Sequence, residues 1–265
     1  MQTLRENFDL NRFFSDLSRA KRPILLLDYD GTLAPFQVNR DEAVPYPGVR
    51  EILNQMLMAD HTRVVVISGR RVSDLTALLD LNKLPEIWGS HGNERLLEDG
   101  SYILAELSEQ EHEGLKMARK WAKDTRFEDI LEEKPASLAF HWRGLGKERA
   151  ADIKKKVLDK WEPLKENYNL KLLDFDGGIE IKVAGRNKGD AVNRVLNEID
   201  EIEEIAYLGD DFTDEDAFRA LQGKGLCVLV RQKKRDTCAD LWIKPPEELL
   251  DFLHRWHAVR SSQTP

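Results

Sequence analysis

The chain of 265 residues contains only two cysteines, Cys227 and Cys238. Two thiols cannot build a disulfide framework and neither stands at metal-type spacing from a histidine, so both are expected to be reduced. Positive charge is in deficit: 40 Lys and Arg against 48 Asp and Glu give a net charge of −8. No global field would draw the chain to nucleic acid or to an anionic membrane, and a phosphate ligand has to be held by local cations. Long apolar runs are missing as well. Residues 1–10 are polar and charged, without the apolar segment of a secretory leader, and nothing elsewhere approaches a membrane span, which makes the cytoplasm the expected compartment. Repeats and low-complexity tracts are also lacking. What remains is 41% hydrophobic and 33% charged residues with 16 Gly and 10 Pro, the balance of a globular protein. The length allows one large domain or a core carrying a smaller insertion.

Short apolar runs at 24–27, 64–67, 205–208 and 227–230 alternate with amphipathic stretches, the pattern of a parallel α/β sheet with crossover helices. Pro47-Gly48-Val49 opens one such helix, with Ile52, Leu53, Met56 and Leu57 at helical spacing, and Leu75, Leu78 and Leu79 repeat the pattern after Ser73. Pro245-Pro246 precedes a last amphipathic helix through Leu249, Phe252, Leu253 and Trp256; residues 261–265 are expected to be loose. The middle differs in texture. Charged helices are expected at 109–123 and 147–167, strands at 137–142 and 170–173, a turn at Gly177-Gly178, and a strand at 179–183 whose alternation predicts one solvated face. A helix-and-antiparallel-sheet insert at 105–184, between core segments 1–104 and 185–265, fits best.

Chemistry gathers at the strand ends. Asp28-Tyr29-Asp30-Gly31-Thr32 follows Ile24-Leu25-Leu26-Leu27, so two carboxylates at alternate positions of an extended segment can face one small site before Gly31 turns the chain away. Ser68-Gly69-Arg70 ends the next apolar run; its hydroxyl can bond a phosphoryl oxygen, although a Ser-Gly turn alone is the commoner reading. Lys188, entering a helix, is by itself an ordinary solvated residue, yet a phosphoryl site in an acidic protein needs a fixed cation. After 205–208 come Gly209-Asp210-Asp211-Phe212-Thr213-Asp214-Glu215-Asp216, acids that repel one another unless a divalent cation intervenes. Thr213 as a helix cap, with 214–216 against the helix dipole, explains part of that run and leaves Asp210 unexplained.

These four motifs together resemble the haloacid dehalogenase (HAD) superfamily of phosphotransferases. The resemblance implies Asp28 as nucleophile, Asp30 as acid/base, Ser68 as phosphate ligand and Lys188 as the charge-balancing lysine. It also implies Mg²⁺ held by Asp28, the Asp30 carbonyl and Asp210, with Asp211 and Asp214 behind them or as alternative ligands. Arg70 is expected to steady the site or the first turn of the following helix.

The longer form Gly209-Asp210-Asp211-x-Thr213-Asp214-Glu215-Asp216-Ala217-Phe218 is similar to the fourth motif of the trehalose-6-phosphate phosphatase family. Ser90-His91-Gly92-x-Glu94, Leu131-Glu132-Glu133-Lys134, His141-Trp142-Arg143 and Gly178-x-Glu180-x-Lys182 have counterparts there, so the resemblance covers about 24–240. It implies an α/β fold, a Rossmann-like parallel-sheet core with an inserted mixed α/β cap, and hydrolysis of trehalose 6-phosphate through an aspartyl-phosphate. The cap candidates for sugar recognition are Lys134, His141, Arg143, Glu180 and Lys182, with Arg70 from the core. His141 and Arg143 could equally line a solvated strand face, Glu180 and Lys182 could equally form a surface cross-strand pair, and His91 could equally be a packed histidine. Val183 stands where the family commonly has proline. Phosphatases for glucosylglycerol, glucosylglycerate, mannosylglycerate and sucrose phosphates share the core motifs, so these substrates stay open at this level. So does a non-catalytic sugar-phosphate sensor. The expected partners are a sugar phosphate and, functionally, a sugar-phosphate synthase; nucleic acid and membrane are not expected.

Overall fold

The computed structural model describes residues 1–6, 8–125, 127–175, 177–199 and 204–261. The tail expected to be loose falls, from 262 onward, outside the described residues. The chain forms two compact units, residues 1–103 with 187–265, and residues 104–186.

In the first unit the strands are β1 (Gln2–Thr3), β2 (Ile24–Leu27), β3 (Arg63–Ile67), β4 (Glu86–Gly89), β5 (Glu94–Leu96) and β6 (Tyr102–Leu104), the last reaching the junction. After the inserted strands β7 (Leu131–Lys134), β8 (Ser137–His141), β9 (Leu170–Phe175) and β10 (Gly178–Val183) come β11 (Ile205–Gly209), β12 (Leu226–Val230) and β13 (Leu241–Ile243). The large sheet has the order β1-β13-β12-β11-β2-β3-β4-β5-β6. From β13 to β4 every neighbouring pair is parallel; β1 and β5 join antiparallel.

Parallel strands are buried on both faces, which is why β2 can be Ile-Leu-Leu-Leu without alternation. Leu25 and Leu27 point into one core, with Val64 and Val66, against the helices α1 (Leu10–Arg19), α2 (Val49–Ala59), α3 (Val72–Leu79) and α8 (Glu247–Ser261). Ile24 and Leu26 point into the other, with Val65, Ile67 and Tyr207, against α6 (Lys188–Asn197) and α7 (Glu215–Leu221). Each fully buried Leu or Val of this kind is worth roughly 1.5–3 kcal/mol over leaving it exposed. Arg260 of α8 is buried and donates to the carbonyls of Leu17, Ala20 and Lys21 at 3.1, 2.6 and 3.2 Å, satisfying the end of α1.

The second unit is an antiparallel sheet in the order β7-β8-β10-β9 with α4 (Glu109–Lys123) and α5 (Lys147–Asn167). Ser108 and Glu111 form a capping box that starts α4. Leu138, Phe140, Ile179, Ile181 and Val183 pack with helix residues Leu115, Ala118, Ile153, Val157 and Trp161, where Trp161 stacks on Phe140 at 5.1 Å. The register puts Lys182, Ser137 and Lys134 side by side, and Glu180, Ala139 and Glu132 in the next row of the same face. One expectation fails here. The strand at 179–183 has no solvated face, because β10 is buried along its whole length between β8 and β9. Glu180 and Lys182 are 2% and 6% exposed and lie two residues apart on one strand, so they are no surface cross-strand pair.

Candidate active site

The site begins where β2 and β11 end side by side, since Asp28 and Asp210 directly follow strands paired in parallel register. Asp28 continues the ladder through its N–H to the Leu208 carbonyl at 2.9 Å. Its side chain is 2% exposed. Oδ1 accepts from the Lys188 ammonium at 2.6 Å, and Oδ2 accepts from Thr32 Oγ1 at 3.1 Å.

Lys188 is delivered by α6. Asn187 and Asp190 form a capping box, each side chain accepting from the other's backbone N–H at 3.0 and 2.8 Å. A lysine in a helix's first turn faces the positive end of the dipole and is the wrong charge there. Asp28 and Asp214 supply the compensation: Nζ donates to Asp214 Oδ1 at 2.7 Å as well as to Asp28. Burial acts to lower the lysine's pKa, yet the two carboxylates win and hold it above its ordinary value.

Asp214 is fully enclosed and its oxygens are fully used. Oδ1 accepts from Lys188 and from the Tyr207 hydroxyl, both at 2.7 Å; Oδ2 accepts from the N–H groups of Asp210 and Asp211 at 3.0 and 2.9 Å. Gly209 makes room for this fold-back, because a Cβ there would stand 2.4 Å from Asp214 Cγ. Thr213 therefore does not cap the helix as expected. It lies inside the turn Phe212–Asp214, with Asp211 at that turn's start and Asp214 at the start of α7.

Asp210 is different. Its carboxylate accepts no hydrogen bond from the described residues; the nearest cation, Arg231 Nη1, is 3.9 Å from Oδ2. Arg231 and Arg235 donate instead to the Asp210 carbonyl at 3.2 and 3.3 Å. Gly31, at φ +83°, lies beneath the carboxylate, where a Cβ would come within 2.2 Å of Asp210 Oδ2.

Asp28, Asp210 and Asp214 bring carboxylate oxygens within 4.8 Å of one another. With all three carboxylates ionised, the cluster and its one ammonium would carry a net charge of −2 in low dielectric. Burial, reinforced by Asp214, pushes Asp28 up to about 7 despite Lys188, and burial with Asp28 pushes Asp210 up to about 9. Hard oxygen donors carrying that excess charge fit a magnesium ion. With Asp214 occupied by four donors, Asp28 and Asp210 are the carboxylates with capacity to spare.

Asp30 points elsewhere, into the fork of Arg70. Nε donates to Oδ2 and Nη2 to Oδ1, each at 2.7 Å. Arg70 is 6% exposed, lies over the Tyr29 ring at 5.6 Å, and keeps Nη1 buried without a hydrogen-bond partner among the described residues. Ser68 ends β3 with its N–H on the Trp88 carbonyl at 2.9 Å.

Within the inserted unit, Lys134 Nζ donates to Glu180 Oε1 at 3.0 Å and Ser137 Oγ donates to the same oxygen at 2.6 Å. His141 Nε2 is 2.8 Å from Glu132 Oε2 and its ring lies 5.3 Å from Phe175. Lys134, His141, Glu180 and Lys182 thus share one polar face, while Arg143 follows the end of β8 and is exposed. Sequence reasoning did not single out Ser137, Tyr207 or Thr32. Only Thr32 had a signal, its place in the Asp-x-Asp-Gly-Thr run; the other two became visible through their partners.

The family model described as trehalose-phosphatase matches residues 26–240. Trehalose-phosphate phosphatase B of Arabidopsis thaliana is 27% identical over 263 residues, covering 90% of this chain and 67% of its own length. Trehalose-phosphate phosphatase of Mycobacterium marinum is 28% identical over 249 residues, with 88% and 61% covered. Trehalose-phosphatase of Saccharomyces cerevisiae is 29% identical over 299 residues, with 92% and 32% covered. The chain thus spans 32% to 67% of the length of these curated relatives. Among solved structures, the C-terminal domain of Candida albicans trehalose-6-phosphate phosphatase superposes with a TM-score of 0.77 at 19% identity, over 97% of this chain and 99% of that one. A phosphatase of the HAD superfamily from Bacteroides thetaiotaomicron does so at 0.58 and 17%, over 90% and 96%. The likeness establishes the HAD-type α/β fold, and with a family model spanning all four core motifs and the insert between them, the chain belongs to the trehalose-phosphatase family.

Proposed function

We propose that the chain is a phosphoric monoester hydrolase that releases phosphate from trehalose 6-phosphate with magnesium, through an aspartyl-phosphate on Asp28. The observation that carries this reading is the Lys188 ammonium bridging Asp28, at the end of β2, and Asp214, at the start of α7. A carboxylate held that way, dehydrated and fixed on both oxygens, is built to attack rather than to pair with solvent. Magnesium held by Asp28, Asp210 and the Asp30 carbonyl would offset the charge of phosphate against carboxylate.

The Asp28 carboxylate forms a bond to phosphorus as the bond from phosphorus to the sugar oxygen breaks. Asp30 gives that oxygen a proton, so trehalose leaves neutral. Asp30 then takes a proton from water as the water oxygen bonds to phosphorus, the Asp28–phosphorus bond breaks, and inorganic phosphate departs. Ser68 and Lys188 bind the phosphoryl oxygens throughout. The two hydrogen bonds from Arg70 to Asp30 support the reading that Arg70 steadies the site by orienting the acid/base.

For the sugar, the polar face carrying Lys134, His141, Glu180 and Lys182 supplies donors and acceptors together, as hydroxyls require, with Arg143 beside it. Recognition by this face and closure over the phosphate belong to the same reading, as do inserted-domain limits near 105 and 184 and a functional pairing with a sugar-phosphate synthase. The unpaired thiols of Cys227 and Cys238 support a cytoplasmic setting, and among the described residues no helix is long and apolar enough to cross a membrane.

The test is phosphate release from a panel of sugar phosphates with and without magnesium. Trehalose 6-phosphate is expected to turn over much faster than glucose 6-phosphate, and Asp28→Asn to abolish turnover. Faster release from glucosylglycerol phosphate or sucrose phosphate would replace the substrate and keep the chemistry. Tight binding without release would make the chain a sensor.

A further inference from the structure

The segment carrying Ser68 and Arg70 has one hydrogen bond of its own, from the Arg70 N–H to Ser68 Oγ at 3.2 Å. It joins β3 to α3, a helix of eight residues whose N-cap, Arg71, makes no side-chain capping bond. It is held from the end of β4. The Ser90 N–H donates to the Arg70 carbonyl at 2.7 Å and the His91 N–H to the Ser68 carbonyl at 3.0 Å, so two consecutive amides grip the chain on either side of Gly69. The His91 ring lies directly on Gly69: Cε1 and Nε2 both stand 2.7 Å from where a Cβ would be.

This grip requires left-handed backbone at two successive residues other than glycine, Ser90 at φ 49° and His91 at φ 56°. Such strain persists only where its surroundings over-determine it, and it gathers at functional sites. Glu94, 2% exposed, does the over-determining. One oxygen bonds the Ser90 hydroxyl, and the other accepts from the Tyr102 hydroxyl at 2.9 Å and from the Val72 N–H at 3.4 Å, the capping bond that Arg71 does not make. Asn93 Nδ2 donates to the Ser90 carbonyl at 2.7 Å. A glycine at 91 would adopt this conformation freely, whereas histidine sets its ring against Gly69.

We infer that His91 and Glu94 are positioning residues for phosphoryl transfer: they fix the Ser68-Gly69-Arg70 segment, and through Arg70 the acid/base Asp30. The inference rests on the reading of Asp28 and Asp30 above. It is tested on the full chain with His91→Gly, which removes the ring and relieves the backbone, using trehalose 6-phosphate and 4-nitrophenyl phosphate.

The expected result is a thermal midpoint at or above the wild type with kcat reduced about tenfold or more and KM changed by less than about twofold, since misplacement of a reacting group costs rate. Gly69→Ala, which drives a methyl into the ring, should also lower kcat, and combining it with His91→Gly should recover part of that loss, the non-additivity expected of touching groups. Glu94→Gln should lower kcat in the same way. Unchanged kcat in His91→Gly, or independent effects of Gly69→Ala and His91→Gly, would overturn the inference. If wild type releases phosphate only from 4-nitrophenyl phosphate, the sugar assignment fails while the inference is judged on that substrate; release from neither overturns both.

Discussion

Arg70 grips Asp30 with the two nitrogens of its fork, each 2.7 Å from a different carboxylate oxygen. A fork of this geometry fixes the plane of the carboxylate, which an ammonium cannot do. Arg70→Lys is therefore expected to lower kcat on trehalose 6-phosphate about a hundredfold, within the usual worth of a positioned acid/base. On 4-nitrophenyl phosphate, whose leaving group departs without a proton, the loss should be smaller. Equal losses on the two substrates would place the effect in the shared hydrolysis of the aspartyl-phosphate, and an unchanged kcat on both would detach Arg70 from proton transfer.

Asp214 touches no substrate in the proposed reaction but accepts four hydrogen bonds while fully buried. Replacing one oxygen by an NH₂ group sets donor against donor and leaves Lys188 half compensated. Asp214→Asn should cost about 3–5 kcal/mol in urea unfolding, the range for breaking a buried pair. A variant as stable as wild type would mean that the four hydrogen bonds to Asp214 do not hold the cluster together.

The acidic cluster gives a pH signature. Asp28 and Asp210 are raised from 3.8 to about 7 and about 9 in the folded chain. Between the unfolded and folded values the native state binds more protons than the unfolded state, so stability of the magnesium-free protein should fall as pH rises from about 4 to about 9. Magnesium competes with those protons, and the thermal shift it produces should grow over pH 6–9. A shift that is flat with pH would separate magnesium from these carboxylates.

Gly31 combines φ +83° with a gap under Asp210 that a Cβ would fill to 2.2 Å. Gly31→Ala should therefore displace the Asp210 carboxylate as well as strain the turn. The expected outcome is a loss of about 1–2 kcal/mol in stability from the backbone alone, with a larger relative loss of magnesium-dependent turnover. Normal magnesium titration in this variant would rule out Asp210 as a ligand.

Glu180 accepts from both Lys134 and Ser137. Under the proposed recognition of sugar hydroxyls, Glu180→Gln should reduce kcat/KM for trehalose 6-phosphate about tenfold or more, mainly through KM, because a site built around hydrogen bonds suffers when they are mismatched. The reduction on 4-nitrophenyl phosphate, which offers no hydroxyls, should be smaller. A purely structural network would lower both alike.

The position of the acidic cluster was legible because a buried parallel strand is a continuous apolar run and the acids stand at its end: Ile24-Leu25-Leu26-Leu27 leads to Asp28, and β11 leads to Asp210. The same local logic marked α4 and α5, whose charged faces lie within single stretches of chain. It failed at β10. Alternation of Ile and Val with Glu180 and Lys182 looks the same whether the polar residues meet water or one another, and only the pairing of β7, β8 and β10 shows them gathered and buried.

Which residues carry charge or turn is written in short-range order, and from it follow the α/β class and the charged residues at the strand ends, because each depends on neighbours within a few positions. What each of those residues does with its charge was decided only in three dimensions. Asp214 is spent holding Lys188, Tyr207 and two backbone amides, Arg70 is committed to Asp30, and the Asp210 carboxylate above Gly31 accepts no hydrogen bond among the described residues. The hydrogen bonds behind those roles span from 3 to 40 positions in the chain, and a carboxylate's availability depends on which donors the fold brings to it.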